Sequence, residues 1–402
     1  MRTIRKVRLS EIAELITKGT TPTTLGYDFQ DNGVNFLKIE CFSENGDFIK
    51  EKVAHISEKC HERLKRSQLR AGDVLFSIAG AIGRVAIVTK KMLPANTNQA
   101  LAIIRIARDD IYLPYVKLIL KSPIVKTQFE RKKQGVAQLN ISLKDITELE
   151  IPLPDMDQQI ECAELFKKIS EIIDFRQQEL QKLDELVNSR FIELFGTLSI
   201  NEQNFKVLTI ESLCSLIKDG THQTPTYTED TINGFKFLSS KDVMSKRIDW
   251  SDIKYIPSDL HEKLYAVVKP IRNDILMSKN GVNYGVAAVN DTDEVFDIYV
   301  SLALLRPKTD IINPVYFCSA INSPDTKRQF DGSIKGIGVP NLHLGEIKKT
   351  KILVPPLDKQ IEYVSFVEQV DKSKFAVQQT LDKAQELFDS LMQKYFGWHK
   401  MA

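Results

Sequence analysis

The sequence predicts an α+β protein in which two similar strand-rich lobes form a tandem repeat with approximate twofold symmetry. Two long helices, packed as an antiparallel coiled coil, join the lobes. Three observations predict this class. Two stretches of about forty residues lack internal glycine and proline, landmark residues recur with a spacing of 201, and short β-branched runs fill the middle of each copy. A chain of 402 residues is also too long for one ordinary core, so two or more domains are expected.

The first long helix is predicted over Asp157–Gly196. This stretch is rich in Leu, Ile, Glu, Lys and Gln and ends on glycine, as helices often do. It would be about 60 Å long at 1.5 Å per residue. Apolar residues recur every seventh position, with companions three residues along, which is typical of a coiled-coil seam. They are Phe166, Ile169, Ile173, Leu180, Leu183, Val187 and Leu194.

A second stretch with the same pattern runs from Asp358 to Gly397. Its seam consists of Val367, Val370, Lys374, Val377, Leu381, Ala384, Phe388, Leu391 and Tyr395. Neither helix could bury such a stripe alone, so we expect the two to pack together, with Arg176, Arg190 and Lys374 fixing the register. The alternative is that each helix packs on a neighbouring lobe.

The spacing of 201 extends over the whole chain, which indicates two copies of one unit. Matching segments include VRLSEIAELITKGTTPT with LTIESLCSLIKDGTHQTPT, GDVLFS with NDILMS, and IPLP with ILVPP. We therefore divide the chain into a lobe at 1–156, a helix at 157–196, a second lobe at 197–357 and a second helix at 358–397.

Within each lobe the local signals are mixed. Helices are predicted at Leu9–Thr17 and Ile210–Lys218, each followed by a turn containing Gly and Thr, and again at Tyr112–Lys121 and Asn313–Asn322, where a proline stands near the start. Apolar runs between turn residues predict strands. In the first copy these are Val34–Ile39, Asp73–Ile78, Arg84–Val88 and Leu101–Ile106.

Composition bounds the class of protein. No apolar run is long enough to cross a bilayer, and the basic start MRTIRKVR has no hydrophobic segment behind it, so we expect a cytoplasmic protein. The five cysteines are scattered, without metal-ligand spacing, which favours reduced thiols and no zinc site. Residues 1–156 carry 25 basic and 18 acidic side chains, whereas 197–357 carry 19 of each. The first lobe therefore favours a polyanionic partner more than the second does.

Two short segments resemble catalytic motifs, but the residues that would carry the chemistry do not recur in the other copy of the repeat. Asn313-Pro314-Val315-Tyr316 resembles the motif of adenine-N6 methyltransferases, but the equivalent segment at Leu113 lacks the Asn. Pro324-Asp325 with Glu346-Ile347-Lys348 imitates a nuclease motif whose Asp and Lys do not recur. His61 and His261 correspond between the copies, and we interpret both as residues of a helix on the lobe surface. We therefore expect no catalytic chemistry, no cofactor and no metal in this chain.

Polar loops recur at matching places and are the candidate binding sites. Gly-Thr loops follow the first helical segment, Ser-containing loops follow a strand, and Gly/Asn loops precede the Pro-rich lead into each long helix. Their hydroxyl, amide and basic side chains suit contacts with phosphates and base edges, although tight turns use the same residue types. The candidates in the first copy are Thr20, Thr21, Lys38, Ser77, Arg131, Lys132, Lys133, Gln134, Gln138 and Asn140. Those in the second copy are Thr221, His222, Lys241, Ser278, Lys279, Asn280, Lys335 and Asn341.

These motifs together resemble the specificity subunit of type I restriction-modification systems. The resemblance is carried by LITKGTTP and LIKDGTHQTP, by GDVLFS and NDILMS, by Asn98-Gln99-Ala100-Leu101, and by the leads IPLP…QQI and VPP…KQI into the two helices. The second copy departs from the pattern at Asn273 and at Tyr299-Val300, which affects individual loop contacts.

The resemblance implies a non-catalytic DNA-recognition subunit. The lobes would be two target-recognition domains, each reading half of a bipartite, asymmetric double-stranded DNA target. The helices would act as the spacer and as the docking surface for two methyltransferase (modification) subunits. Those subunits would bind adenosylmethionine, and motor-nuclease (restriction) subunits would join them. The competing hypothesis is a coiled-coil scaffold whose lobes bind proteins.

Overall fold

The computed structural model describes residues 5–132, 141–334 and 340–396. The chain divides into two compact units. Unit 1 comprises Met1–Gln177 and Gln379–Ala402, and unit 2 comprises Gln178–Gln378. Both divisions fall inside the long helices, so each unit contains one lobe and one part of each helix.

The first lobe belongs to unit 1. Its strands are β1 Arg5–Arg8, β2 Leu15–Lys18, β3 Val34–Leu37, β4 Ala54–Ile56, β5 Val74–Ser77, β6 Val85–Ile87, β7 Ala95–Thr97, β8 Leu101–Arg105 and β9 Glu150–Leu153. Its helices are α1 Leu9–Ile12, α2 Glu58–Arg63, α3 Leu113–Leu120, α4 Pro123–Lys132 and α5 Leu143–Thr147, and the long helix α6 Met156–Phe195 follows.

The second lobe belongs to unit 2. Its strands are β10 Lys206–Thr209, β11 Cys214–Asp219, β12 Phe235–Leu238, β13 Lys254–Ile256, β14 Ile275–Ser278, β15 Ala287–Val289, β16 Phe296–Ile298, β17 Leu302–Pro307 and β18 Lys351–Val354. Its helices are α7 Ile210–Leu213, α8 Ser258–Tyr265, α9 Pro314–Ile321, α10 Pro324–Ser333 and α11 Leu344–Lys349, followed by the long helix α12 Leu357–Phe396.

The two lobes have the same sheet topology, which confirms the predicted tandem repeat. Unit 1 has sheets ordered β1-β9, β2-β8-β5-β6 and β4-β3-β7, and unit 2 has β10-β18, β11-β17-β14-β15 and β13-β12-β16. A buried ion pair recurs in the four-stranded sheets. The guanidinium of Arg105 holds both oxygens of Asp73 at 2.7 Å, and Arg306 holds Asp274 at 2.8 Å. Two bidentate contacts of this kind fix neighbouring strands in the same register in each copy.

The predicted first helix of each lobe is wrong over most of its length. Helix α1 ends at Ile12, and Ala13 already has extended dihedral angles. The following Leu15–Lys18 forms β2 and pairs with β8 in antiparallel register, and in unit 2 the equivalent segment is strand β11. Pairing with a buried neighbouring strand decides the conformation here, because local helix propensity is a weaker influence than tertiary context.

The long helices pack against each other in antiparallel fashion within each unit, as predicted. In unit 1, Phe166 of α6 contacts Phe388 and Phe396 near the end of α12, with ring centroids 5.2 and 5.9 Å apart. In unit 2, Phe191 and Phe195 near the end of α6 contact Tyr363 near the start of α12, at 5.4 and 5.6 Å.

Each helix end also packs on its own lobe. Phe166 belongs to the core that contains Tyr115 and Val116, and Phe195 lies 4.9 Å from the ring of Tyr316. Both packing arrangements that the sequence left open therefore occur together. One seam residue departs from the prediction: Tyr395 is 39% exposed, whereas Met392 and Phe396 are buried.

Polar seam residues of unit 2 pair across the two helices. Arg190 contacts Glu362 at 3.3 Å, and the ammonium of Lys374 contacts the carboxylate of Asp184. These contacts suit the predicted register-fixing role. Within the described ranges, no helix is both long and apolar enough to span a membrane.

Candidate nucleic-acid interface

One segment in each unit joins the loops that the sequence singled out. We call it the junction segment: residues 96–101 in unit 1 and 297–302 in unit 2. It begins in the last strand of the three-stranded sheet and ends at the first residue of the strand that enters the four-stranded sheet. It therefore connects the two sheets of each lobe, and its backbone groups face the neighbouring loops.

The Gly-Thr loop of each unit is seated on the junction segment by the same hydrogen bonds. The N–H of Thr20 donates to the carbonyl of Thr97 at 3.0 Å, and the N–H of Thr221 donates to the carbonyl of Ile298, also at 3.0 Å. The preceding glycine is required by this close approach. A Cβ on Gly19 would lie 2.0 Å from the Thr97 oxygen, and one on Gly220 would lie 2.1 Å from the Ile298 oxygen.

The loop that follows β5 in unit 1, and β14 in unit 2, meets the same junction segment. In unit 1, Ile78 N–H donates to Ala100 O at 2.9 Å, and Ile141 N–H donates to Ile78 O at 3.3 Å. In unit 2 the chain makes the matching contacts: Lys279 N–H to Ser301 O at 2.9 Å and Leu342 N–H to Lys279 O at 2.8 Å. Two polar loops thus meet the junction segment in each unit, and Ile141 and Leu342, which belong to the described residues after the third loop, bond to the second of them.

The side chains of unit 1 at this place are mostly short and polar. The Thr21 hydroxyl donates to Gln99 Oε1 at 2.5 Å, and both residues are at least partly exposed. Lys38 is half-buried, with its ammonium 4.7 Å from the centre of the Phe29 ring and 3.9 Å from Glu40. Arg131 is exposed near the end of α4, where Lys132 is the last residue. Lys133, Gln134, Gln138 and Asn140 lie outside the described residues.

Unit 2 presents a different set of side chains. His222 is exposed, with Nε2 3.7 Å from Asp219, and Asn341 is exposed and forms a β-bridge with Asn280. The Oδ1 atom of Asn280 is buried without a hydrogen-bond partner. Lys335 lies outside the described residues. The exposed side chains of this cluster can therefore offer hydrogen bonds from imidazole and carboxamide groups.

Four predicted contact residues have other partners in the structure. Ser77 and Ser278 are 0% exposed, and their hydroxyls donate to Ala79 O and Asn283 O within their own loops. Lys279 is 5% exposed and its ammonium lies 2.5 Å from Asp219. Lys241 lies 2.8 and 3.1 Å from Asp242 and Asp252. Partial burial lowers the pKa of Lys241, but its hydrogen bonds to these two carboxylates prevail and raise it. These side chains organise the loops.

His61 and His261 lie on helices as predicted, but their rings face inward. Nδ1 of His61 is 2.5 Å from Asn96, and Nδ1 of His261 is 2.6 Å from Asp297. The junction segment itself was not among the predicted sites. Its residue types give no common signal, because residues 96–100 are NTNQA in the first copy and 297–301 are DIYVS in the second.

The two segments that resemble catalytic motifs have structural roles among the described residues. Asn313 caps α9 by accepting from the N–H of Val315 at 2.9 Å, and Asp325 accepts from the N–H of Leu198 at 2.6 Å. Within the described ranges, no group of three or more His, Cys, Asp or Glu side chains is arranged to hold a metal ion.

Comparison with known proteins assigns the family. The family model described as "Type I restriction modification DNA specificity domain" matches residues 1–185 and 202–386. The chain belongs to this family. The two matches correspond to the two copies of the repeat, and the DNA sequence-specificity role of a type I restriction-modification system follows from them.

Individual relatives agree with this assignment. The type I restriction enzyme MjaVIII specificity subunit of Methanocaldococcus jannaschii is 21% identical over 96% of this chain and 91% of its own length. The EcoBI specificity subunit of Escherichia coli is 28% identical over 41% of this chain, a match that spans only 34% of that relative. A chain in a solved structure of a type I restriction-modification system has a TM-score of 0.60 and 18% identity, and 98% of each chain is covered. The structural likeness supports the fold of two lobes and two long helices.

Proposed function

We propose that this chain selects the DNA sequence on which a type I restriction-modification enzyme acts, with each unit reading one half of a bipartite target. The observation that carries the proposal is the loop cluster built identically in both units. The backbone frame is the same in both units, and Thr20 of unit 1 corresponds to Thr221 of unit 2. The next side chain differs: the partly exposed Thr21 of unit 1 corresponds to the exposed His222 of unit 2. A common frame with different contact groups supports two half-sites of different sequence.

The two units would divide the binding energy unequally between phosphates and bases. The first lobe has the excess of basic residues, and Arg131 is exposed near the end of its helix α4. In unit 2, Lys241 and Lys279 already have carboxylate partners, so their charges are compensated. We infer that unit 1 contributes more of the salt-sensitive phosphate contacts, and that unit 2 depends more on hydrogen bonds from His222, Asn280 and Asn341.

The long helices would serve as spacer and docking surface. Large apolar side chains are exposed along them although the seam is already packed: Ile172, Phe175, Leu186, Ile361, Phe375 and Leu387 are 47–66% exposed. Exposed apolar residues of this size favour contact with another protein. The partners would be two methyltransferase subunits, which would bind adenosylmethionine and flip and methylate the adenine, and motor-nuclease subunits would cleave. This chain would itself be non-catalytic.

Methylome sequencing tests the proposal. Cells that lack the gene are compared with cells that express the chain together with the modification subunit of its own operon. An asymmetric motif with a non-specific gap should be methylated only in the second strain. A methylome that does not change, or a motif without a gap, would contradict the proposal.

Salt dependence provides a second test. The purified chain with its modification subunit should bind a duplex containing the mapped motif with an affinity that falls steeply between 50 and 200 mM salt, because phosphate contacts release counterions. Arg131→Gln should reduce the slope of log K against log salt by about 1 if that side chain contacts a phosphate. An affinity insensitive to salt would exclude DNA as the ligand and favour a protein-binding scaffold.

A further inference from the structure

A buried polar pair lies directly behind the Gly-Thr loop of unit 2. Nδ1 of His261, on α8, is 2.6 Å from Oδ2 of Asp297, on β16, and the two residues are 8% and 1% exposed. The His261 ring stacks on Phe235, with centroids 3.6 Å apart and planes 6° apart, and the Tyr265 ring lies 4.9 Å away. The pair therefore ties the strand to the helix at a fixed position inside the lobe.

The pair is connected to the loop through a single residue. Asp297 is followed by Ile298, whose carbonyl accepts from the N–H of Thr221 and lies where a Cβ on Gly220 would clash. Tyr299 N–H donates to Leu238 O at 2.8 Å, which fixes the other side of the same segment. Any shift of the Asp297 backbone must therefore move the seat of the Gly220–His222 loop.

Unit 1 contains a corresponding pair, in which the carboxamide of Asn96 takes the place of the Asp297 carboxyl group. Nδ1 of His61 is 2.5 Å from Asn96 Oδ1, and the next residue, Thr97, accepts from Thr20 N–H. The amide of Asn96 donates to Leu64 O at 3.1 Å and to the Ser67 hydroxyl at 3.0 Å. The side chain of Asn96 is thus satisfied on both of its polar atoms.

The carboxylate version in unit 2 is less completely bonded. Asp297 Oδ1 is buried without a hydrogen-bond partner among the described residues. The segment that follows α8 offers Val267 and Val268, which have no hydroxyl comparable to that of Ser67. The hydrogen bond to His261 is therefore the side-chain contact that holds Asp297 in place, and loss of that bond should affect the loop of unit 2 more than that of unit 1.

We propose that His61 with Asn96, and His261 with Asp297, are positioning pairs, each of which seats one DNA-reading loop and thereby sets the stringency of one half-site. This inference rests on the proposed function, because it needs each unit to read its own half of the target. Neither pair touches DNA. Each acts through the carbonyl of the next residue, on which the loop threonine is seated.

Three variants test the inference. Asp297→Ala removes the pair in unit 2, Asn96→Ala removes the pair in unit 1, and Asp297→Asn restores in unit 2 the acceptor that unit 1 uses. Each is expressed with the modification subunit in cells that lack the wild-type gene, and methylated motifs are mapped by long-read sequencing. Circular dichroism melting of the purified complexes identifies a temperature at which all variants are folded.

We expect Asp297→Ala to raise methylation of single-mismatch sites at least tenfold, with the mismatches confined to one half of the motif. Asn96→Ala should relax the other half, and Asp297→Asn should keep the wild-type motif. The inference is overturned if Asp297→Ala retains the wild-type motif, if both Ala variants relax the same half, or if methylation falls uniformly without a half-site pattern. It is also overturned if Asp297→Asn behaves like Asp297→Ala. A wild-type chain that yields no bipartite motif would instead refute the proposed function.

Discussion

Replacement of Gly220 by alanine tests whether the close approach of the Gly-Thr loop to the backbone of the junction segment determines the position of that loop. The added Cβ would lie 2.1 Å from Ile298 O and 2.6 Å from the carbonyl carbon of Tyr299, so the loop and the junction segment must separate by about 1 Å. Overpacking of this kind costs about 1–3 kcal/mol, and loss of the Thr221 N–H bond adds about 1 kcal/mol. We therefore expect Gly220→Ala to lower the free energy of unfolding by about 2–4 kcal/mol and to relax one half of the methylated motif.

The assay is urea denaturation of the purified chain followed by fluorescence, combined with methylome mapping. Gly345→Ala is the matched control, because a Cβ there meets nothing within 4 Å and α11 tolerates alanine well. Gly19→Ala is the equivalent change in unit 1, where the Cβ would lie 2.0 Å from Thr97 O. The reasoning is refuted if the free energies of unfolding of Gly220→Ala and Gly345→Ala differ by less than about 0.5 kcal/mol and Gly220→Ala leaves the methylated motif unchanged.

Three further predictions concern the helices and the buried carboxyl. Phe166→Ala should lower the stability of unit 1 by about 3–5 kcal/mol in urea denaturation, whereas Phe175→Ala, at a residue 62% exposed, should change it by less than about 0.5 kcal/mol. A similar loss of stability in both variants would argue against the packing of Phe166 between the two long helices. Deletion of seven residues from the middle of each long helix should shorten the gap in the methylated motif by about three base pairs, at 1.5 Å per residue and 3.4 Å per base pair, and an unchanged gap would exclude the spacer role. Burial raises the pKa of Asp297, an effect that the bond to His261 only partly offsets, so the folded state binds a proton at this carboxyl more readily than the unfolded state does. Wild-type stability should therefore fall as pH rises from about 4 through the folded pKa, and Asp297→Asn should lack this loss; parallel stability curves for the two proteins would contradict it.

The groups around Asp297 define what else could alter that pH response. Besides His261, the Tyr265 ring packs on the same histidine, and a cavity of about 390 Å³ beside Asp297 is also lined by Lys218, Asp219 and His222. His222 is exposed and lies beside Asp219, so His222→Gln serves as the control for a titration outside the pair. The Asp297→Asn difference should persist in that background.

The sequence was most informative where a signal repeats along one element. The heptads and terminal glycines placed the long helices at 157–196 and 358–397, and they are observed at Met156–Phe195 and Leu357–Phe396. Strand β5 at Val74–Ser77 was also predicted, because a continuous apolar run between turn residues is typical of a buried strand. Local residue pattern alone is enough to predict these elements, although tertiary packing stabilises them.

Non-local contacts determine the features that the residue pattern does not predict. Leu15–Lys18 becomes a strand because β8 pairs with it from a distant part of the chain. For Ser278 and Lys279 the DNA contacts stay predictions, and the structure adds intramolecular partners: the Ser278 hydroxyl donates to Asn283 O, and the Lys279 ammonium pairs with Asp219. The junction segment acts through backbone carbonyls, which every residue possesses, so its residue types carry no signature. Its role became visible only from the hydrogen bonds that converge on it.

Unit 1 is built from two separate segments of the chain, which affects the order in which the chain can fold during synthesis. Unit 2 is one continuous segment, Gln178–Gln378, whereas unit 1 combines Met1–Gln177 with residues that follow Gln378. Phe388, Met392 and Phe396, which complete the core around Phe166, leave the ribosome after all of unit 2. The lobe that is translated first therefore keeps part of its apolar surface uncovered until the end of α12 has been synthesised. A stop codon just after Gln378 would leave unit 2 intact and expose that surface permanently.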